Sequence, residues 1–178
     1  MKPFSIKSKL GLRIMSLIRG YNHDKYWRRR SVVIDPENKT PLIVKLYYLF
    51  YIKRVDARFG CSFGTNLHSG SKFATPPFLP HGPYGIICGH DWEIGEKCIM
   101  YQQVTLAGGG KIGNRVELGA GVKVLDNVTI GNNVHVGLNA VVIEDIPDGA
   151  TVVLHRPRII TAEEKTRRKS IIDKEHEV

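Results

Sequence analysis

IGNRVELGAGVKVLDNVTIGNNVHVGLNAVVI, residues 112–143, keeps one rhythm from end to end. An aliphatic residue stands at every sixth place: Ile112, Leu118, Val124, Ile130, Val136 and Val142. Carried backwards, the same step meets Leu106, Met100 and Ile94. Glycine follows directly at Gly95, Gly113, Gly119, Gly131 and Gly137. A second apolar track runs two residues earlier, through Trp92, Cys98, Val104, Val116, Val122, Val128, Val134 and Ala140, and is broken only at Gly110. A helix cannot keep such a stripe on one side, because its turn of about 3.6 residues does not divide six. Period six suits a solenoid of very short strands, three to a coil of about 18 residues. Both tracks then point inward, and corners such as Gly131-Asn132-Asn133 supply the turn conformations. The fold class expected is mainly β, a parallel β-helix or hexapeptide solenoid, over residues 61–160.

Upstream the period continues in another phase, at Leu67, Phe73 and Leu79. Ile86 comes seven residues after Leu79 and joins the second track, so one extra residue is expected in that stretch. The slip contains LPHGPYGII, residues 79–87, with His81 between two prolines. A break in a strict repeat costs packing, and such breaks are where function is housed. The alternative for His81 is a turn histidine bonded to backbone.

The flanks read differently. Residues 1–60 carry 14 Lys/Arg against 4 Asp/Glu, whereas residues 61–160 carry 7 against 8. The sequence predicts a helical N-terminal segment: one helix from Ser5 to Gly20, and a second from Thr40-Pro41 to about Arg54 with Leu42, Leu46, Leu49 and Phe50 as its apolar stripe. Between them, KYWRRR (25–30) is read as a basic helix face with one buried aromatic, as a trimer contact or acceptor clamp, or, with the first helix, as a peripheral membrane contact. Residues 161–178 form a short charged C-terminal helix or tail opened by Thr161 and Glu164. Nothing resembling a secretory signal or a bilayer-spanning run is present, and no nucleic-acid module accompanies the basic charge. Cys61, Cys88 and Cys98 show no CxxC spacing, and no histidines have metal-ligand spacing, so no metal is expected and the simplest compartment is the cytoplasm.

The stretches NLHSGSKFATPPFLPHGPYGII, YQQVTLAGG, LGAGVKVL and VGLNAVVIEDIP resemble the hexapeptide-repeat acyltransferases, which fold as left-handed β-helices. The likeness is to their serine acetyltransferase branch and, within it, to polysaccharide O-acetyltransferases. It implies acetyl-CoA as donor, a homotrimer with sites between subunits, and His81 as general base. It also implies coenzyme contacts at Ala107, Gly108, Gly119, Ala120, Gly121, Lys123, Asn139, Arg156 and Arg158. Two departures stand out. The family's aspartate fifteen residues before the histidine is Asn66 here, and the loop after the glycine-rich segment is missing, LAGGGKIG passing straight on. The second departure argues against serine as acceptor.

Acetyl transfer from a thioester to a hydroxyl needs a base of near-neutral pKa and donors for the oxyanion. His81 fits the first role, with Asn66 orienting its ring and Asp91 or Glu93 as possible acid helpers. Amides of Ala107, Gly108, Gly109 and Gly110 fit the second. His68, Tyr84 and Trp27 are the acceptor-side candidates. The expected activity is O-acetylation of a sugar or glycan in cell-surface polysaccharide assembly, in the cytoplasm or at the inner face of the membrane. The alternatives are O-acetylation of a small molecule such as an amino acid or antibiotic, and a non-catalytic scaffold.

Overall fold

In a computed structural model of the protein, which describes residues 20–154 and 161–163, the chain winds into a three-sided parallel β-solenoid. This is the solenoid expected from the repeat, consistent with the left-handed β-helix that the family resemblance implies. The first sheet stacks Ser62–Phe63, Ile87–Cys88, Thr105–Leu106, Lys123–Val124 and Val141–Val142. The second stacks Lys72–Phe73, Asp91–Ile94, Gly109–Ile112 and Thr129–Ile130. The third stacks Ile99–Met100, Glu117–Leu118, His135–Val136 and Thr151–Val152. The chain visits them in that order, once per coil.

Register is the organising fact. Ile94 pairs with Ile112, Leu118 with Val136 and Val124 with Val142, each three hexapeptides further along. All nine residues of the first apolar track are buried, and so is every apolar residue of the second. Each Val, Leu, Ile or Met among them contributes roughly 1.5–3 kcal/mol by leaving water. The gap at Gly110 has a cause. The Trp92 indole spreads into the space, so a Cβ on Gly110 would lie 2.8 Å from two of its ring carbons and 2.5 Å from the Val128 carbonyl oxygen. Corners recur at multiples of six, with Lys97, Gln103, Arg115, Asn127, Asn133 and Asn139 all at positive φ. One corner is laced by a side-chain ladder in which Glu96 N–H donates to Asn114 Oδ1, Asn114 N–H to Asn132 Oδ1, and Asn132 N–H to Asp148 Oδ1.

The coils before Ile87 depart from this count. Phe73 pairs with Ile94 and Phe78 with Ile99, each three residues beyond the regular step, whereas Ile87 and Thr105 resume it. The slip therefore holds three extra residues rather than one. Leu79 belongs to the first track and Ile86 to the second, and counting directly between them hides two. Earlier still, Ser62 pairs with Ile87 across a longer span, because Thr65–Asn66 and Ser69–Gly70 form a small antiparallel hairpin. Leu67 sits at the tip of that hairpin and is not a rung of the solenoid.

Two helices, α1 (His23–Ile34) and α2 (Leu42–Phe59), cap the first coil. Asn22 caps α1 by accepting from Lys25 N–H, and Gly60, at φ +56°, ends α2. Helix α2 begins where expected but runs five residues further than Arg54. Its packed side also differs from the expected stripe: Leu42, Leu46 and Phe50 face outward, and the buried residues are Lys45, Ile52, Val55, Asp56 and Phe59. The last two turns of the helix, not the first two, lie on the solenoid. KYWRRR forms the middle of α1, and both of its aromatics are buried. Trp27 stacks edge-on to Phe63 and Phe73, at centroid distances of 5.1 and 4.8 Å.

Arg30, only 2% exposed, joins cap to column. It donates to the carbonyls of Phe63 and Ser71, to Ser71 Oγ and to Thr65 Oγ1. Burial pulls its pKa down, and its hydrogen-bond partners are all neutral oxygens. The expected helix over 5–20 and most of the C-terminal tail lie outside the described residues.

Two stability outcomes follow. Gly110→Ala is expected to cost about 1–3 kcal/mol, since the methyl enters filled space. Arg30→Ala is expected to cost about 3 kcal/mol, because it empties a packed site and takes from the buried Ser71 carbonyl its guanidinium donor, Phe63 O keeping the Ser71 hydroxyl. Equilibrium urea unfolding followed by far-UV circular dichroism measures both. A change in either no larger than that of an ordinary surface substitution would contradict the packing described.

Candidate active site

The three surplus residues decide where His81 sits. His81 lies within the surplus itself, after Phe78, which pairs with Ile99 21 residues on, and before Tyr84, whose carbonyl accepts from Gln103 N–H at the regular corner; its Nδ1 lies 2.8 Å from Oε1 of Gln102. The excess is Pro80, His81 and Gly82, which depart from the regular path at the edge between the third and first sheets, while Pro83 and Tyr84 already stand at the places of Tyr101 and Gln102 one coil on. Gly82 and Gly85 adopt φ of +81° and +66°, which lets the chain turn out and return. The bulge is tied down at each step. Gly82 N–H donates to Leu79 O, Gly85 N–H to Phe59 O, and Gln103 N–H to Tyr84 O. His81 is thus exposed on a rigid mount, with the Tyr101 ring edge-on at 5.7 Å.

The same edge carries a column of other expected residues. Gly121 N–H donates to Gln102 O, and Asn139 N–H donates to Ala120 O one coil further. Lys123 Nζ donates to Gln103 O at 2.7 Å and Thr105 Oγ1 at 3.1 Å. His81, Gly119, Ala120, Gly121, Lys123 and Asn139 therefore line one edge of the prism.

Ala107 and Gly108 do not join them within one chain. They turn the corner between the first and second sheets, one side of the prism away. Ala107 N–H is already committed to Val124 O, and its carbonyl accepts from Trp92 Nε1. Asp91 and Glu93 lie in the second sheet, where Glu93 faces Lys72 and Lys111 at 3.8 and 4.0 Å. Arg156 and Arg158 fall outside the described residues.

The hairpin residues are also elsewhere. Asn66 is exposed and paired with Ser69, and the partner of His81 Nδ1 is Gln102 instead. His68, at φ +63° on the hairpin tip, donates its backbone N–H to Val33 O of α1. Tyr84 is partly exposed beside His81 and packs edge-on to Phe59 at 4.9 Å. Trp27, at 5% exposure, is walled in by the cap and is corrected from acceptor contact to core residue. The clamp and membrane readings of KYWRRR lose their buried aromatics in the same way. Nothing in the sequence flags Gln102, because only the enlarged coil brings it beside His81; in a regular coil the neighbour would be Ile99.

The thiols are poorly suited to chemistry. Cys61, Cys88 and Cys98 are buried, and burial pushes the Cys88 thiol up to about 11 and Cys98 to about 12, with Cys61 raised as well. Among the described residues no cluster of three or more His, Cys, Asp or Glu has metal-binding geometry, and no helix is long and apolar enough to cross a membrane.

The repeat and the fold are similar to those of known proteins. Residues 109–144 match the family model of the bacterial transferase hexapeptide, six repeats. The chain is similar to serine acetyltransferase of Helicobacter pylori (strain ATCC 700392 / 26695), 40% identical over 106 residues, which is 55% of this chain and 61% of the relative. It is also similar to that of Synechococcus elongatus, 39% identical over 105 residues, 54% of this chain and 43% of the relative. Among solved structures, serine acetyltransferase isoform 3 of Entamoeba histolytica in complex with cysteine superposes with a TM-score of 0.64 at 27% identity, covering 94% of this chain and 59% of that one. The chain therefore has the hexapeptide-repeat transferase fold, and it spans about three-fifths or less of the length of these relatives. Their names are those of serine enzymes and not of polysaccharide enzymes, so the resemblance holds at the level of the fold and the serine acetyltransferase branch.

Native protein is expected to resist iodoacetamide at pH 7.5, with mass spectrometry finding under one label per chain until denaturant is added. Rapid labelling of any of the three cysteines without unfolding would contradict their burial.

Proposed function

We propose that the chain is an acetyl-CoA-dependent O-acetyltransferase acting on the hydroxyl of a small acceptor, and that serine is the acceptor to test first. The observation that carries this reading is His81 on its three-residue outward turn, with Nδ1 engaged by Gln102 and Nε2 left to face the acceptor. In this reading Nε2 takes the hydroxyl proton as the oxygen attacks the thioester carbonyl, and returns it to the departing coenzyme sulfur. No cysteine is needed as an intermediate carrier, which agrees with the buried thiols.

The similarity to serine acetyltransferases favours this small-molecule alternative over the glycan acceptor expected from the sequence. The relatives offer no support for polysaccharide assembly. The missing loop and Asn66 are what make the acceptor a question for experiment. The coenzyme is assigned to the edge running from Gln102 past Gly121 and Lys123 to Asn139. Self-association is part of the proposal: Ile87, Val141 and Ile143 are exposed on and beside the first sheet, next to that edge, and a homotrimer would cover them. Within such an assembly a neighbouring copy would have to bring the Ala107–Gly110 corner to His81.

His81→Ala is expected to lower kcat by about 10²–10⁴-fold, the usual contribution of a general base, with the thermal unfolding midpoint unchanged. Release of free coenzyme thiol from acetyl-CoA, measured against L-serine, other hydroxyamino acids, free sugars and nucleotide sugars, identifies the acceptor class. Wild-type turnover retained by the alanine variant on the best acceptor would overturn the reading.

A further inference from the structure

The orienting partner of His81 differs in charge from the carboxylate that the family resemblance places at position 66. We infer that Gln102 is the positioning residue of His81, and that it holds the imidazole as the Nδ1–H tautomer through a neutral amide. This rests on the reading of His81 as the base.

Four observations converge. The first is placement: the surplus Pro80-His81-Gly82 is held between Phe78, which pairs with Ile99, and Tyr84, whose carbonyl accepts from Gln103 N–H, so the backbone carries His81 beside the Tyr101–Gln103 corner. The second is rigidity. Gln102 O accepts from Gly121 N–H, Tyr101 N–H donates to Leu118 O, and Gln103 N–H donates to Tyr84 O. The glutamine side chain therefore starts from a backbone pinned by the coil on one side and by the His81 turn on the other. The third is polarity. The atom facing Nδ1 at 2.8 Å is Oε1; an amide oxygen only accepts, so this contact is a hydrogen bond only in the tautomer with the proton on Nδ1 and the lone pair on Nε2. The fourth is the Tyr101 ring, edge-on to the imidazole, which limits its rotation.

The consequences follow from charge. During transfer the acceptor O–H proton passes to Nε2, a carbon–oxygen bond forms at the thioester carbonyl, and the carbon–sulfur bond breaks. The leaving thiolate then recovers the proton from Nε2. Gln102 keeps Nδ1–H in place throughout and changes no protonation state. An amide stabilises the transient imidazolium by its dipole alone, where a carboxylate would add a full negative charge. The ring is correctly aimed yet lacks the ionic support of a carboxylate-paired histidine.

The test is read first without any substrate. In the full-length protein labelled with ¹⁵N-histidine, long-range ¹H–¹⁵N spectra of the neutral ring are expected to show His81 as the Nδ1–H tautomer, and Gln102→Leu is expected to shift it to Nε2–H. Kinetically, Gln102→Leu is expected to lower kcat by about 10–100-fold with KM for acetyl-CoA within about twofold. Gln102→Glu keeps an accepting oxygen in place, so it restores turnover at high pH. Its negative charge favours the imidazolium, so the acidic limb of the kcat/KM profile moves up by about one pH unit or more. Wild-type His81 found as Nε2–H, or a Gln102→Glu profile superimposable on wild type, would overturn the inference. If the tautomer result holds while His81→Ala remains active, the positioning contact stands and the catalytic reading falls, so the two failures are separable.

Discussion

A parallel solenoid tolerates no arbitrary residue count. Each coil's N–H groups donate to the carbonyls of its neighbour, and the inward side chains stack only if equivalent positions recur at one fixed spacing. Here that spacing is three hexapeptides, held by Ile94 with Ile112 and by Leu118 with Val136. A coil with surplus residues cannot absorb them along a side, because a shift by one would turn aliphatic residues outward and bury polar ones. The surplus must leave at a corner. Pro80, His81 and Gly82 leave at the corner between the third and first sheets, so His81 is carried on the surplus itself. The geometry of the candidate site is thus a by-product of the packing rule that builds the column.

The same rule explains why the column needs a cap. Its first coil is open to water on one side, with backbone groups that no further coil satisfies. Arg30 meets that need by reaching from α1 to the carbonyls of Phe63 and Ser71. Tyr26, Trp27 and Phe59 add aromatic surface that continues the core without a gap. Cap and site are mechanically connected, since Phe59 O accepts from Gly85 N–H at the foot of the His81 turn. The helices thus support the site as well as closing the barrel end.

An exposed imidazole is unremarkable alone; a ring with one nitrogen held and the other free is a tool. The hydrogen bond to Gln102 makes that distinction at His81. His135 provides the contrast within the same chain. It lies in a strand of a regular coil, exposed, with Nδ1 3.2 Å from a Glu117 oxygen, and nothing in its rung is displaced to form a recess. The two histidines differ less in chemistry than in what the backbone does around them.

Solenoid, inward tracks, glycine corners and the disturbed stretch around His81 are all legible from residue order, because a period of six projects one-dimensional spacing directly onto three sides. Even the gap at Gly110 is visible, although its cause, the indole of Trp92 one coil below, is not. The size of the insertion differs from the expectation by two residues, because Leu79 and Ile86 belong to different tracks and spacing alone cannot say which. The orientation of α2 escapes the sequence for a similar reason: Leu42, Leu46 and Phe50 form a fair stripe, yet which side packs depends on where the helix lands. Pairing across coils is a non-local property. Only the wound chain could set Gln102 against His81, bury Trp27, and send Ala107 and Gly108 to a different edge.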